Sequence, residues 1–363
     1  MKHAEGELKA RPSHPPLTGR LLVSSLRSTI TCRSERVVSY VNRAPRRILC
    51  LCLLAQALAL SLPAPAAAGA EWKAPREALD QRHVVGVFRI HYTATGSNAV
   101  RGGAPAAAKL ALRLGDQLER ADRFYSEAMG LTPPLANPRY SQVRAIDVHV
   151  IELDGKKGST GDEPVVYRYR RFADFAPALT ISISSRWTPG NLTPEHEVFH
   201  AYQYGYTFFK NAWFLEGMAN GMEAAFRERA SGNTQLPQDK AALRRLLDQS
   251  YGAGPFWNRL MRLCEPDCRQ LPRETADRAL PPVCGGRFVK RFLEELQTAD
   301  KLAARARGID HRNWPEAEQR SGHNHVWLLD GLGRTIETHC RVDGNAELTT
   351  FLGALQSVRG DLR

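Results

Sequence analysis

A chain of 363 residues, 43% hydrophobic and 24% charged, has material for a sizeable core and the composition of a globular protein, which excludes a fibrous or wholly disordered one. Its formal charge of +12 sits mainly at one end: residues 1–70 hold ten Lys/Arg against three Asp/Glu, and the remainder holds 40 against 35, about +5. With no Lys/Arg cluster interleaved with aromatics evident in that remainder, no nucleic-acid partner is expected.

Taken in chain order, residues 1–40 are basic, rich in Ser, Arg and Pro, and show neither a helical nor a strand period. Arg43, Arg46 and Arg47 then precede an uncharged apolar run, residues 48–62, followed by Ala68-Gly69-Ala70. A positive region, an apolar stretch of this length and small residues at the cleavage positions describe a secretory signal peptide. Fifteen residues are short for a membrane span. The expected location is therefore exported, periplasmic or extracellular, with the membrane met only during export and Glu71 as the mature N-terminus. A signal belongs near the start of translation, so either the reading frame opens early, with the true start near Val41, or residues 1–40 form a leader of separate use.

Residues 84–92, VVGVFRIHY, are β-branched and aromatic and predict a strand. Leu110, Leu114, Leu118, Ala121, Tyr125 and Met129 recur at helical spacing, predicting a helix over 109–129. AIDVHVI (145–151) alternates, with Asp147 and His149 opposite Ile146, Val148 and Val150, as in a half-buried strand. A polar loop is expected over 155–163, and Leu179, Ile181 and Ile183 mark a third strand. Thr193 is placed to cap a helix with Pro194 at its first helical position and Glu195 at the positive end of its dipole. From Trp213 onward the chain reads as helical. The fold class is α+β: a leader and signal (1–70), a mixed part with a small sheet (71–212) and a helical part (213–363).

The chemistry is concentrated in EHEVFH. His196 and His200 lie four apart, so a helix projects both imidazoles from one face, where they can share one zinc ion. Glu197 is placed as the general base that takes a proton from water. After fifteen further residues comes Glu216 in FLEGMAN, a carboxylate completing a two-His, one-Glu ligand set of catalytic form, with one Zn2+ per chain. Gly217 and Ala219 are small enough for close helix approach. Glu223, seven residues on, is a fallback ligand.

These residues carry a resemblance. His196, Glu197 and His200 match the H-E-x-x-H of the gluzincins, zinc metallopeptidases of the thermolysin and alanyl-aminopeptidase type, and Glu216 matches their third-ligand motif. The likeness covers roughly residues 84–262 and implies a zincin-like fold, zinc and a peptide or protein substrate. It further implies that Asn220 supports a ligand histidine from the second shell, where relatives of this type carry an aspartate. Tyr251 in SYGAGPF resembles the tyrosine that steadies the oxyanion; His311, His323 and His325 are alternatives for that role. The acidic aminopeptidase motif is missing upstream, so aminopeptidase specificity is not implied.

Cys264, Cys268, Cys284 and Cys340 remain after the signal. An even count in an exported chain favours two disulfides, with all three pairings open; a structural zinc site is the rival. The reading is an exported zinc metallopeptidase, its zinc cleft between the mixed and helical parts and its substrate extended along an edge strand at 179–184. The alternative is a non-enzymatic zinc-containing envelope scaffold or binding protein.

Overall fold

The computed structural model describes residues 72–227, 234–268 and 280–362. The leader, the signal and Glu71 lie outside the described residues, all of which belong to the unit Pro65–Arg363.

A short helix α1 (Lys73–Glu77) leads into a hairpin of β1 (Gln81–Val85) and β2 (Phe88–Tyr92). The single strand expected over 84–92 is thus divided, at Gly86, whose φ of +51° suits a residue without a Cβ. Helix α2 (Gly103–Arg123) ends in a π-helical turn, Phe124–Ala128. Three strands follow: β3 (Ala145–Ile151), β4 (Gly158–Val165) and β5 (Ala178–Ser184). The order across the sheet is β1-β2-β3-β5-β4, with β2, β3 and β5 parallel and the two outer strands antiparallel to their neighbours.

Two expectations are corrected here. Residues 158–165 form an edge strand rather than a loop, and β5, expected at the edge, is interior. GSTGDEPV lacks the apolar alternation that announces a strand; its pairing with β5 is tertiary, made through Gly158, Ser159, Thr160 and Gly161.

The sheet has two covered faces. Ile90, Ile146, Val148, Val150, Leu179, Ile181 and Ile183 join the core with Leu114 and Leu118 of α2. The opposite face, read from sequence as solvated, is also buried: all seven residues of β3 and of β5 are inaccessible. A strap, residues 166–177, and α1 cover it. Tyr169 donates to Asp147 Oδ2 (2.8 Å) and meets His149 Nε2 (2.7 Å), Tyr167 meets Thr180 Oγ1 (2.9 Å), and Arg76 donates to Ser182 Oγ (2.9 Å). Arg89 and His91 of β2 also contact Asp147 Oδ1, at 2.6 and 3.3 Å. Burial opposes ionisation of Asp147, but hydrogen bonds from His91 and Arg89 outweigh it and bring the carboxyl down to about 2. Burial lowers both histidines, His149 well below its usual 6.5.

Beyond β5 the described residues are helical, as the sequence predicts: α3 (Thr193–Tyr206), α4 (Ala212–Glu223), α5 (Lys240–Leu247), α6 (Gly254–Cys264), α7 (Gly286–Ala306), α8 (Glu316–Gln319), α9 (His325–His339) and α10 (Ala346–Leu362). The architecture is α+β, a small mixed sheet with many helices. Among the described residues no helix is long and apolar enough to cross a membrane. Cys264 at the end of α6 is bonded to Cys340 just after α9, and Cys268 to Cys284, which selects one of the three pairings and leaves no thiolate among the four for structural zinc.

The bridges close stretches of 76 and 16 residues. Loop-closure entropy makes the first worth about 4.5 kcal/mol and the second about 3 kcal/mol. Cys264→Ser/Cys340→Ser should therefore lower the denaturation midpoint more than Cys268→Ser/Cys284→Ser; the reverse order in urea melts would contradict this. Acid should also destabilise the polar face. With folded pKa values below the usual ones, His91 and His149 contribute stability above pH 6.5 that is lost as pH falls below it, and Asp147 contributes stability above 3.8 that is lost towards about 2. Because Glu195 and His196 shift the other way, the contribution is read by difference: between pH 7 and pH 3 the thermal midpoint should fall more steeply in the parent than in His149→Gln, and equal slopes would exclude this linkage.

Candidate metal centre

Helix α3 enters from the loop after β5. Thr193, expected as its cap, is instead the first helical residue, and Asn191 Oδ1 accepts from both its N–H (2.9 Å) and its hydroxyl (2.6 Å). Pro194, expected at the first helical position, is therefore the second, still in the turn where its missing N–H costs nothing. Glu195 stands in the first turn, at the positive end of the helix dipole as expected, but it is buried. It is 1% exposed and accepts from Gln117 Nε2 at 2.5 Å, and burial lifts its carboxyl to about 7.

One helical turn separates His196 from His200, and their Nε2 atoms approach to 3.1 Å. Helix α4 begins at Ala212, one residue before the helical stretch expected from Trp213, and carries Glu216 inward. Its Oε2 lies 3.2 Å from His196 Nε2 and 3.3 Å from His200 Nε2. The three atoms form a nearly equilateral triangle able to hold a metal ion. A tetrahedral ion with bonds of about 2.0–2.1 Å holds its donors roughly 3.3–3.4 Å apart, so the triangle fits such an ion with little movement.

The electrostatics favour positive charge at this point. Burial disfavours a proton on His196, yet the carboxylates of Glu216 and Glu223 overcome it and lift the imidazole to about 9. Burial likewise opposes ionisation of Glu216, but its bonds to His196 and His200 push it well below the usual carboxylate range. A divalent cation satisfies the same demand without protons.

The outward nitrogens of both rings are held as well. His200 Nδ1 lies 2.9 Å from Gln203 Oε1, and Gln203 Nε2 donates to the Leu215 carbonyl at 3.2 Å, tying α3 to α4. His196 Nδ1 faces Glu223 Oε2 at 3.4 Å. Sequence reasoning gave this supporting role to Asn220 and held Glu223 as a fallback ligand. The structure exchanges them: Asn220 Nδ2 donates to the Tyr251 carbonyl at 2.7 Å, and Glu223, one helical turn further on, reaches the ring. Asn220 therefore positions the segment carrying Tyr251.

Tyr251 joins the centre from the short 3-10 turn before α6, its ring 5.6 Å from that of His196. Burial and the neighbouring Glu216 carboxylate push its phenol up to about 12, so it remains a donor at neutral pH. The alternative histidines are engaged elsewhere. His311 pairs with Asp300 at 3.0 Å, His323 meets Ser321 Oγ at 3.2 Å, and burial lowers His325.

Glu197 is not one of the three donors; it lies beside them and is held by β4. Thr160 Oγ1 lies 2.8 Å from its Oε2 and 2.9 Å from its carbonyl. Burial raises the carboxyl, tempered by His200, His196 and Thr160. Gly158 of the same strand is required by contact: a Cβ there would stand 2.6 Å from Glu197 Oε1 and 2.5 Å from Thr193 Cγ2. Thr160 and Gly158 went unnoticed in the sequence because their strand did.

Metal content separates these roles. Purified His196→Ala, His200→Ala and Glu216→Ala should each lose bound metal. Glu223→Gln should weaken binding about 10–100-fold, and Asn220→Ala should leave it near the parent value. A metal titration in which Asn220→Ala, not Glu223→Gln, is the weak binder would reverse the assignment.

Compared with protein-family models, with curated proteins and with solved structures, the chain matches none.

Proposed function

We propose that this protein is an exported zinc metallopeptidase of zincin-like fold. The observation that carries the reading is the division of labour on α3. His196 and His200 aim their Nε2 atoms at Glu216, while Glu197, between them in sequence, is buried beside the centre and held by Thr160 without being one of the three donors. A purely structural metal site has no use for such a carboxylate.

His196, His200 and Glu216 hold the ion, and zinc is the divalent metal that two imidazoles and one carboxylate suit best. When bound, it supplies a Lewis acid that polarises a carbonyl and acidifies water. Glu197 takes the proton from the attacking water and passes it to the departing amine, a task eased by its raised pKa. Tyr251, protonated and 58% exposed, donates its hydroxyl to the developing oxyanion. Edge strand β4 offers an extended peptide a partner for main-chain hydrogen bonding alongside Glu197. The disulfides agree with an oxidising compartment, and periplasmic or extracellular residence follows from the signal-like residues 43–70.

Glu197→Gln preserves shape and all three ligands, but an amide cannot accept the proton. It should retain metal at the parent level and lose about 10²–10⁴-fold in hydrolysis of a mixed peptide library. Tyr251→Phe should retain metal and lose roughly 10²-fold. Parent-like hydrolysis by Glu197→Gln would sink the mechanism. A parent protein that binds zinc and cleaves nothing in the library would support the scaffold or binding role instead.

A further inference from the structure

The strap over the polar face of the sheet has an outer side that the metal centre does not use. Its sequence, Val166-Tyr-Arg-Tyr-Arg-Arg-Phe172, interleaves cations with aromatics, a pattern that the sequence reading of this region overlooked. Alternation along an extended segment sends successive side chains to opposite sides. Tyr167 and Tyr169 turn inward, 1% and 5% exposed, and are pinned to Thr180 and Asp147. Arg168 and Arg170 are consequently exposed, and Arg171, at the bend that ends the alternation, is exposed as well.

Nearby carboxylates are already committed. Asp147 is held by Arg89, Asp174 pairs with Arg82 and Arg89, and Glu77 accepts the backbone N–H of Arg168 through its side chain and that of Arg170 through its carbonyl. Among the described residues none of the three guanidinium groups has a carboxylate partner. Exposed apolar groups flank these cations: Trp72, whose ring meets Tyr167 at 6.2 Å, Val166 and Phe175 are 38%, 39% and 58% exposed.

We infer that this face docks on an anionic membrane surface, the guanidinium groups meeting lipid phosphates and Trp72, Val166 and Phe175 entering the interfacial layer. Both halves of the pattern are then satisfied. Single-stranded nucleic acid fits less well: with the strap's tyrosines locked inward, Trp72 and Phe175 are the exposed rings left, too few to stack a run of bases. The anchored tyrosines also fix the spacing of the cations before any contact is made. Membrane contact would thus continue beyond export, and the inference does not depend on hydrolytic activity.

Flotation with vesicles of phosphatidylcholine, alone or with about 30% phosphatidylglycerol, tests it. The parent should float with the anionic vesicles, not the neutral ones, and less at high salt. At about tenfold per 1.4 kcal/mol and about 1 kcal/mol per cation, Arg168→Ser/Arg170→Ser/Arg171→Ser should partition about a hundredfold less. Phe175→Ser should weaken binding with unchanged salt dependence. Parent and variants carry the same N-terminus, so any contribution of residues 48–62 cancels, and unchanged metal content and melting temperature would show that the fold is intact. Equal flotation of parent and triple variant would overturn the inference. So would tighter binding to a single-stranded oligonucleotide than to anionic vesicles, which would transfer the face to nucleic acid.

Discussion

Helix α3 is buried along its whole length, all fourteen residues, although it carries two glutamates, two histidines and a glutamine. Polar side chains in such a position need partners or they destabilise the fold. Each surrounding element supplies one: Gln117 of α2 meets Glu195, Thr160 of β4 meets Glu197, and Glu216 and Glu223 of α4 meet His196. Gln203 and Glu216 meet His200. The candidate metal centre is therefore no addition to a finished fold. Satisfying the polar groups of α3 fixes where β4, α2 and α4 must stand.

Close approach is the second requirement, and small residues meet it. Gly158 admits Glu197 and Thr193 against β4. On α4, a Cβ at Gly217 would come within 2.6 Å of Ala253 and one at Gly221 within 3.0 Å of Trp257 Cβ, so the bare face of that helix receives the 3-10 turn and α6. Indole stacking of Trp213 on Trp257, with centroids 5.5 Å apart, and a hydrogen bond from Trp257 Nε1 to the Trp213 carbonyl (2.9 Å) lock the contact. This packing carries Tyr251 to the rim of the centre. Glycine in FLEGMANG thus serves helix packing, Asn220 holds the Tyr251 segment, and Glu216 and Glu223 of the same helix meet His196.

The part of the site that was legible in the sequence lies on two helices whose period is strong. His196, Glu197 and His200 share a face by spacing alone, and Glu216 follows in a segment of unmistakable helical character. What escaped came from residues whose partners are distant in sequence. Thr160 and Gly158 sit on a strand held by its neighbour rather than by its own composition. Glu223 displaced Asn220 as the support of His196 because a longer side chain one turn further along reaches a ring that the shorter amide does not. The division of residues 84–92 into a hairpin followed from one left-handed glycine, which strand propensity does not register.

A different reason hid the polar face of the sheet. Asp147 and His149 alternate with valines and isoleucines, the pattern of a strand with one face in water, yet both are 1% exposed or less. Period alone reports that two faces differ in chemistry; it does not report whether the polar one is wet. Here the strap makes the difference, because its tyrosine hydroxyls supply the hydrogen bonds that water would otherwise provide. Inward tyrosine and outward arginine are one consequence of the same alternation. Removing the hydroxyls would leave Asp147 and His149 short of partners beneath the strap, so the integrity of the buried face and the display of cations on the outer one stand or fall together.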